Sequence, residues 1–345
     1  MIPVVILGLG RVGAGNIGLA GDLPMSHLSA VLVTPGLTVA GLVDPDPAAR
    51  ASARSRHIDT DAIVVSDLTT LPPRTGEVIA ICTPASARLT VVEQTLARRP
   101  RVVVIEKPLA MSLDEARRIV SAAERAGVEL RVNFRRRFDP RHLRWRGRAP
   151  KHPRAIVMRY GKGLMNYGSH LVDLLLDWYG PIEAVQSLSA APSSSDVDSS
   201  VSFRCRMAAG FDAIAVGIDG LDYDQFEIDI IGKSESISLG SGGADIRRYV
   251  AGESLHYDTY SHLAEVDGER DVAPVSGFVE LYAAIGAHIR NGVPLPGCDG
   301  VAAVAGMAVL DAVRRSEKLG GAIVTPESIV MDTDPRYECI EEYRQ

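Results

Sequence analysis

Short β-branched runs at residues 4–7, 38–43, 62–65, 78–81, 102–105 and 130–133 alternate with stretches of helical period, notably 86–98 and 112–126. Strands that alternate with helices in this way predict a parallel sheet with helices on both faces, the doubly wound Rossmann architecture. Ser112 with Glu115 three residues on is a capping-box signature and marks the start of the second helix. After about residue 135 the rhythm changes. A helix over 170–178 is followed by alternating runs at 184–190, 201–207, 213–218, 225–231 and 236–239, with little helical pattern between them. That spacing predicts an α+β domain with a mainly antiparallel sheet. The Ser-rich stretch 190–200 reads as a loop. An Ala- and Val-rich amphipathic helix over 300–319 is placed where it could pack back on the first domain. The expected division is a first domain over 1–126 and a second over 127–345.

Composition narrows the class without naming it. Of 345 residues, 46% are hydrophobic and 23% charged, ordinary for a globular chain long enough for two cores. The net charge of −6 argues against nucleic acid or an anionic membrane as the main partner. One local exception is the basic cluster Arg135, Arg136, Arg137, Arg141, Arg144, Arg146 and Arg148. It reads either as a solvated connector or as a site that attracts an anionic group, such as the phosphates of a nucleotide-linked sugar. The four cysteines, Cys82, Cys205, Cys298 and Cys339, form no CxxC pair, so no metal site is expected. The chain opens directly into a strand and holds no apolar run of the ~20 residues that would span a bilayer. A cytoplasmic location is the resulting expectation.

Candidate chemistry begins at Gly8-Leu9-Gly10-Arg11-Val12-Gly13, immediately after the first strand. A GxGxxG turn alone is a weak signal; here a strand precedes it and a helix is expected after it. Gly8 permits a tight turn, Gly10 lets backbone approach a pyrophosphate, and Gly13 allows close helix packing. Gly8, Gly10, Arg11, Val12 and Gly13 are therefore candidate cofactor contacts. Asp44 ends the second strand, where a carboxylate accepts from both ribose hydroxyls and repels a 2′-phosphate. NAD is favoured over NADP, with Arg50 near enough to moderate the preference. Asp44 lies roughly ten residues farther from Gly13 than the ~20 the fingerprint expects. The extra residues fall in 14–25, which holds Gly15, Gly18, Gly21 and Pro24. That insert is either a lid near the nicotinamide or a surface excursion.

The next candidates sit at strand ends, where open α/β sheets bind ligands. Thr83-Pro84 follows the fourth strand, Glu106-Lys107-Pro108 closes the fifth, and Asn133 ends the sixth. Farther on, Gly168-Ser169-His170-Leu171-Val172-Asp173 opens a helix. Together these residues resemble the glucose–fructose oxidoreductase, inositol dehydrogenase and rhizopine-catabolism family, called Gfo/Idh/MocA. The resemblance runs from residue 4 to about 180. It implies an NAD-dependent oxidoreductase acting on the CH–OH group of a sugar, sugar nucleotide or cyclic polyol, built as a homodimer or homotetramer. The domain over 1–126 then binds the dinucleotide, and that over 127–345, with an open-faced, mainly antiparallel sheet, serves substrate binding and oligomerisation. Thr83, Pro84, Glu106, Lys107 and Asn133 then contact the cofactor. Lys107 matches the family lysine that contacts the reacting hydroxyl, and His170 the family histidine that exchanges its proton or orients it. An ordinary imidazole pKa near 6.5 suits that exchange. Asp173, one helical turn on, orients the imidazole or pairs within the helix.

One position departs from the pattern. Family members with a dehydrogenase site carry an aspartate four residues before the histidine; here it is Asn166. An amide can bond a hydroxyl but cannot accept a proton. Lys107, His170 and Asn166 are thus the candidate catalytic set, and Lys162, Arg135 and Tyr167 join them as substrate contacts, with Tyr160 and the neighbouring arginines as further suspects. Two other functions fit the same residues. One is NAD-assisted glycoside elimination with no net redox change, and the other is a non-catalytic NAD-binding regulator.

Overall fold

The computed structural model describes residues 1–15, 23–56, 61–188, 198–254, 258–275 and 277–327. The first sheet is assembled from β1 (Ile2–Leu7), β2 (Leu37–Val43), β3 (Ile63–Val65), β4 (Val78–Ile81), β5 (Val102–Glu106) and β6 (Glu129–Asn133). Interleaved helices are α1 (His27–Val33), α2 (Pro47–Arg56), α3 (Arg88–Leu96) and α4 (Leu113–Ala126). All pairings are parallel, in the order β3-β2-β1-β4-β5-β6. That is the doubly wound order, with its switch point between β1 and β4. Strands β4 and β5 are apolar almost throughout because helices cover both faces. The sheet's last strand, β6, lies beyond residue 126.

Helix α4 starts where Ser112 accepts the Glu115 amide at 3.2 Å and stops at Gly127 in the left-handed region, φ +64°. The Glu115 carboxylate reaches the Met111 amide rather than that of Ser112, so half of the expected capping box forms.

After a one-turn 3-10 segment at Arg135–Arg137 come α5 (Pro140–Arg148), β7 (Ala155–Tyr160), α6 (Ser169–Tyr179), β8 (Ile182–Ser187), β9 (Phe203–Met207), β10 (Asp212–Gly217), β11 (Phe226–Ile231), β12 (Glu235–Gly240), β13 (Asp245–Glu253), β14 (Ser261–Glu265) and β15 (Asp271–Val272). The main order is β14-β13-β12-β11-β7-β10-β9-β8, with β15 paired to β13. The pairs are antiparallel except β7 with β10, so the sheet is mixed. Strand β7, which the apolar spacing does not predict, is its central member. Its burial alternates, with Ile156, Met158 and Tyr160 inside and Arg159 outside.

One face packs on α6 and on α8 (Gly300–Lys318), which also lies against α4 and β6 of the first sheet. The other face carries cross-strand ion pairs, Arg159 with Glu227 and Arg206 with Asp212. Helix α7 (Phe278–Asn291) returns to the first sheet and packs on α1. No described helix is long and apolar enough to cross a membrane.

Candidate active site

Four strand ends and the start of one helix build the site. At the end of β1, Gly8 has φ +88°, and a Cβ there would lie 2.9 Å from the Cys82 carbonyl carbon. A Cβ on Gly13 would lie 1.9 Å from the Gly8 carbonyl oxygen. Both positions therefore require glycine. Around Gly10 nothing lies within 4 Å of where a Cβ would be, so the turn is closed on the protein side and open outward. The segment Arg11–Gly15 winds onward as a single π turn. Of the insert 14–25, residues 16–22 lie outside the described residues.

Asp44 is placed to shape this turn. One carboxylate oxygen accepts the Leu9 amide at 2.6 Å and the other the Asp46 amide at 2.8 Å. Arg50 donates to the Asp44 and Pro45 carbonyls at 2.7 and 2.9 Å, so the backbone already engages its guanidinium.

A buried network holds the β4 and β5 ends. Arg88, 2% exposed, donates to the carbonyls of Thr83, Glu106 and Pro108 and so fixes the segment on which Lys107 stands. Glu106 accepts Asn133 Nδ2 at 2.6 Å, as expected from their direct register across β5 and β6. The same oxygen is 2.8 Å from His27 Nε2, and His27 Nδ1 is 2.7 Å from the Tyr282 hydroxyl on α7. Burial opposes a charge on His27, but Cys82, Tyr282 and Glu106 raise its pKa well above the ordinary value. Burial likewise opposes a charge on Glu106, and its bonds to His27 and Asn133 lower its pKa. The pair is therefore imidazolium and carboxylate. Asn133 Oδ1 and Thr83 Oγ1 are buried without a hydrogen-bond partner at the same end of the sheet.

Lys107 reaches across to the second domain, its Nζ donating to Asn166 Oδ1 at 2.6 Å and to the Asn166 carbonyl at 3.3 Å. Asn166 lies in a π turn, Leu164–Gly168, that leads directly into α6. Asp198 fixes this turn by accepting the amides of Met165 and Asn166, each at 2.9 Å. Gly163 is obligatory there, since a Cβ would lie 2.2 Å from the Asp198 carboxylate.

One turn after Asn166, the His170 ring meets Phe134 and Phe226 edge-on at centroid distances of 5.5 and 6.3 Å. No described side chain hydrogen-bonds it. Burial, then the charges of Lys107, Arg136 and Arg135, hold its pKa well below 6.5, so the ordinary value does not apply and the ring is neutral. Burial also lowers Lys107 to about 8, with Arg136 and Arg135 reinforcing and Glu106 opposing.

The structure brings Lys107, Asn166 and His170 together, with Glu106, Asn133, Arg135 and Tyr167 around them. Lys162 is ion-paired with Asp224, which also accepts the Tyr167 hydroxyl at 3.3 Å. Lys162 and Asn166 line one cleft of about 540 Å³ with Asp198 and Tyr223. Asp173 does not orient His170. It faces away, 4% exposed, and is bound by Arg137 at 3.0 Å, which also pairs with Asp177 at 3.2 Å. Burial raises Asp173 to about 6 against the opposing pull of Arg137. Tyr160 is likewise structural, fully buried with its hydroxyl on the Val201 carbonyl at 2.6 Å. His27, Arg88, Asp198 and Tyr282 belong to the site's support, and sequence reasoning did not single them out.

With this geometry in view, residues 4–134 match the family described as "Oxidoreductase family, NAD-binding Rossmann fold", GFO_IDH_MocA. Over those residues the chain is similar to the Gfo/Idh/MocA family. The rhizopine catabolism protein MocA of Rhizobium meliloti is 31% identical to the chain over 134 residues. That stretch is 38% of this chain and 38% of MocA, so the chain spans well under half of that relative's length. Solved structures share the fold over nearly the whole chain. WlbA dehydrogenase of Bordetella pertussis, in complex with NADH and UDP-GlcNAcA, superposes with TM-score 0.73 at 20% identity, covering 95% of this chain and 98% of WlbA. An oxidoreductase of Agrobacterium radiobacter, in complex with NAD+, L-tartaric acid and magnesium, gives 0.71 at 16% identity, with 94% and 98% covered. The Gly8–Gly13 turn fits a dinucleotide, because Gly8 and Gly13 close its inner side while Gly10 leaves its outer side free.

Proposed function

We propose that the protein oxidises a secondary alcohol of a sugar, sugar nucleotide or cyclic polyol, reversibly and with NAD. The observation that carries this reading is the Lys107–Asn166 contact beside a neutral His170. Bound NAD supplies the hydride acceptor. Gly8, Gly10, Arg11, Val12 and Gly13 hold its pyrophosphate, and Thr83, Pro84, Glu106 and Asn133 line its nicotinamide end. Asp44 accepts from the ribose hydroxyls and favours NAD over NADP by repelling a 2′-phosphate. WlbA, crystallised with NADH and a nucleotide-linked sugar, supports the substrate class.

The chain's own residues manage the proton. Asn166 cannot take a proton, and His170 is held neutral by burial and then by the surrounding positive charge. Lys107 therefore receives the hydroxyl proton. An amine with an ordinary lysine pKa would be almost wholly protonated near neutral pH and unable to accept, whereas one at about 8 is close to the value general base catalysis favours. Asn166 helps by bonding Lys107 without supplying the negative charge that would raise its pKa. His170 orients the substrate oxygen through a neutral imidazole hydrogen bond, and the Phe134 and Phe226 edges fix its ring plane.

The oxidation rate should rise with pH through a midpoint near Lys107's value of about 8, since only the free amine accepts a proton. Asn166→Asp places a carboxylate on Nζ and should move that midpoint upward by about one to three pH units. The check is the pH profile of NADH formation for both proteins. A midpoint unmoved by the substitution removes Lys107 from the proton path.

A further inference from the structure

The seven arginines between residues 135 and 148 separate into two groups. Arg137, Arg141, Arg144, Arg146 and Arg148 each pair with a carboxylate, respectively on Asp173, Asp139, Asp271, Asp177 and Glu269. They tie the connector down, as a solvated charge run does. Arg135 and Arg136 have no carboxylate within ion-pair distance among the described residues, and Lys107 has none either. These three cations lie around His170.

Their positions are fixed by contacts other than charge. The Arg136 guanidinium stacks 4.3 Å over the Phe226 ring and donates to the Gly242 carbonyl. Phe226 in turn meets the Tyr167 ring at 5.9 Å and His170 at 6.3 Å. Arg136 is 7% exposed and rigid. Arg135 is half-buried, and its side chain makes a weak contact, Nη1 to Met25 Sδ at 4.0 Å. Nearby carboxylates are already engaged, Glu106 by His27 and Asp198 by two backbone amides and Arg314 at 3.4 Å. Three like charges in a half-buried setting repel one another unless an anion joins them.

We infer that the substrate carries a carboxylate close to its reacting hydroxyl, received by the guanidinium fork of Arg135 with Arg136 behind it. A planar carboxylate matches two parallel guanidinium N–H donors. The anion belongs at the reacting end because the unpaired cations surround Lys107 and His170, not the outer cleft where Lys162 is paired with Asp224. The substrate class is therefore a sugar acid, a uronate or an aldonate, free or within a larger glycoside. This inference rests on the proposed reading of Lys107 and His170 as the reacting site.

The test is a binding measurement, separate from turnover. NADH-loaded protein is titrated calorimetrically with a panel of hexuronates and aldonates, with the matched neutral hexoses and polyols, and with hexose phosphates. At least one acid should bind about 30- to 100-fold tighter than its neutral partner, a preference that shrinks with added salt. Arg135→Gln should abolish the preference and Arg135→Lys recover part of it, with NADH affinity unchanged in both. Arg144→Gln, which removes an ion-paired member of the same cluster, should leave the preference intact. The inference is overturned if neutral sugars bind as well as acids across the panel, if phosphates are preferred to carboxylates, if the preference survives Arg135→Gln, or if that substitution weakens NADH instead. Acid-selective binding without any NAD reduction would sink the hydride-transfer reading and leave the anion site standing.

Discussion

Lys107→Met is expected to lower the rate of NAD reduction by about 10³-fold, within the range for loss of a general base, while NADH affinity stays within about two-fold. The substitution keeps the side chain's length and apolar stem and removes the one group that can take the proton. It should also stabilise the fold. Burial lowers Lys107 from 10.5 to about 8, so at neutral pH the native state holds an ammonium in a place that disfavours it. At about 1.36 kcal/mol per pH unit that difference is roughly 3.4 kcal/mol, and solvent at the half-buried amine reduces it to roughly 1–2 kcal/mol. The sign follows from linkage. The unfolded lysine binds its proton more tightly than the folded one, so wild-type stability rises as pH climbs from about 8 towards 10.5, and the Met variant should lose that rise. A thermal melt across pH, run beside the kinetics, separates this outcome from simple misfolding. Lost turnover with lost NADH binding would place Lys107 in the cofactor cradle instead.

The second large effect concerns the glycine turn, where two substitutions should behave oppositely. Gly13→Ala puts a methyl 1.9 Å from the Gly8 carbonyl oxygen, a backbone atom that cannot rotate aside. The turn must open, and both thermal stability and NADH affinity should fall, the latter by 100-fold or more. Strain of this kind costs typically about 1–3 kcal/mol. Gly10→Ala meets nothing within 4 Å, so the melting temperature should not change. NADH affinity should nonetheless fall by about 30-fold or more, because the methyl occupies space that only the pyrophosphate would use. Fluorescence titration with NADH and a melt of the free protein check both. A Gly10→Ala protein that binds NADH normally would show that the dinucleotide does not cross this turn.

The parallel sheet and the glycine turn are legible in the sequence because their signals are local. Short apolar runs mark β4 and β5, and Ser112 marks the start of α4. Strand β7 is harder to read because Arg159 interrupts its short apolar run, and its central place depends on β10 and β11 from far along the chain. Lys107, Asn166 and His170 were found through motif residues, yet their electrostatics were not. That His170 is neutral follows from its burial first and then from Lys107, Arg136 and Arg135 converging on it in space. His27 and Tyr282 are 255 positions apart, so no spacing rule could pair them. Arg88 resembles any helix-start arginine until its three carbonyl partners from β4 and β5 are seen. For Asp173 the spacing from His170 left two roles open, orienting the imidazole or pairing within the helix, and the carboxylate instead binds Arg137 from the connector.

The central claim is that Lys107 and His170 hold an alcohol carbon so that its hydride passes to bound NAD. The direct measurement uses substrates deuterated at the candidate carbinol carbons, incubated with NAD and the protein, followed by mass analysis of the recovered nicotinamide. Deuterium retained in free NADH, in step with substrate oxidised, is the predicted result. Substrate consumed while free NADH remains unlabelled, or a full panel of sugars, polyols and sugar acids left unreacted by NAD-saturated protein, would contradict it.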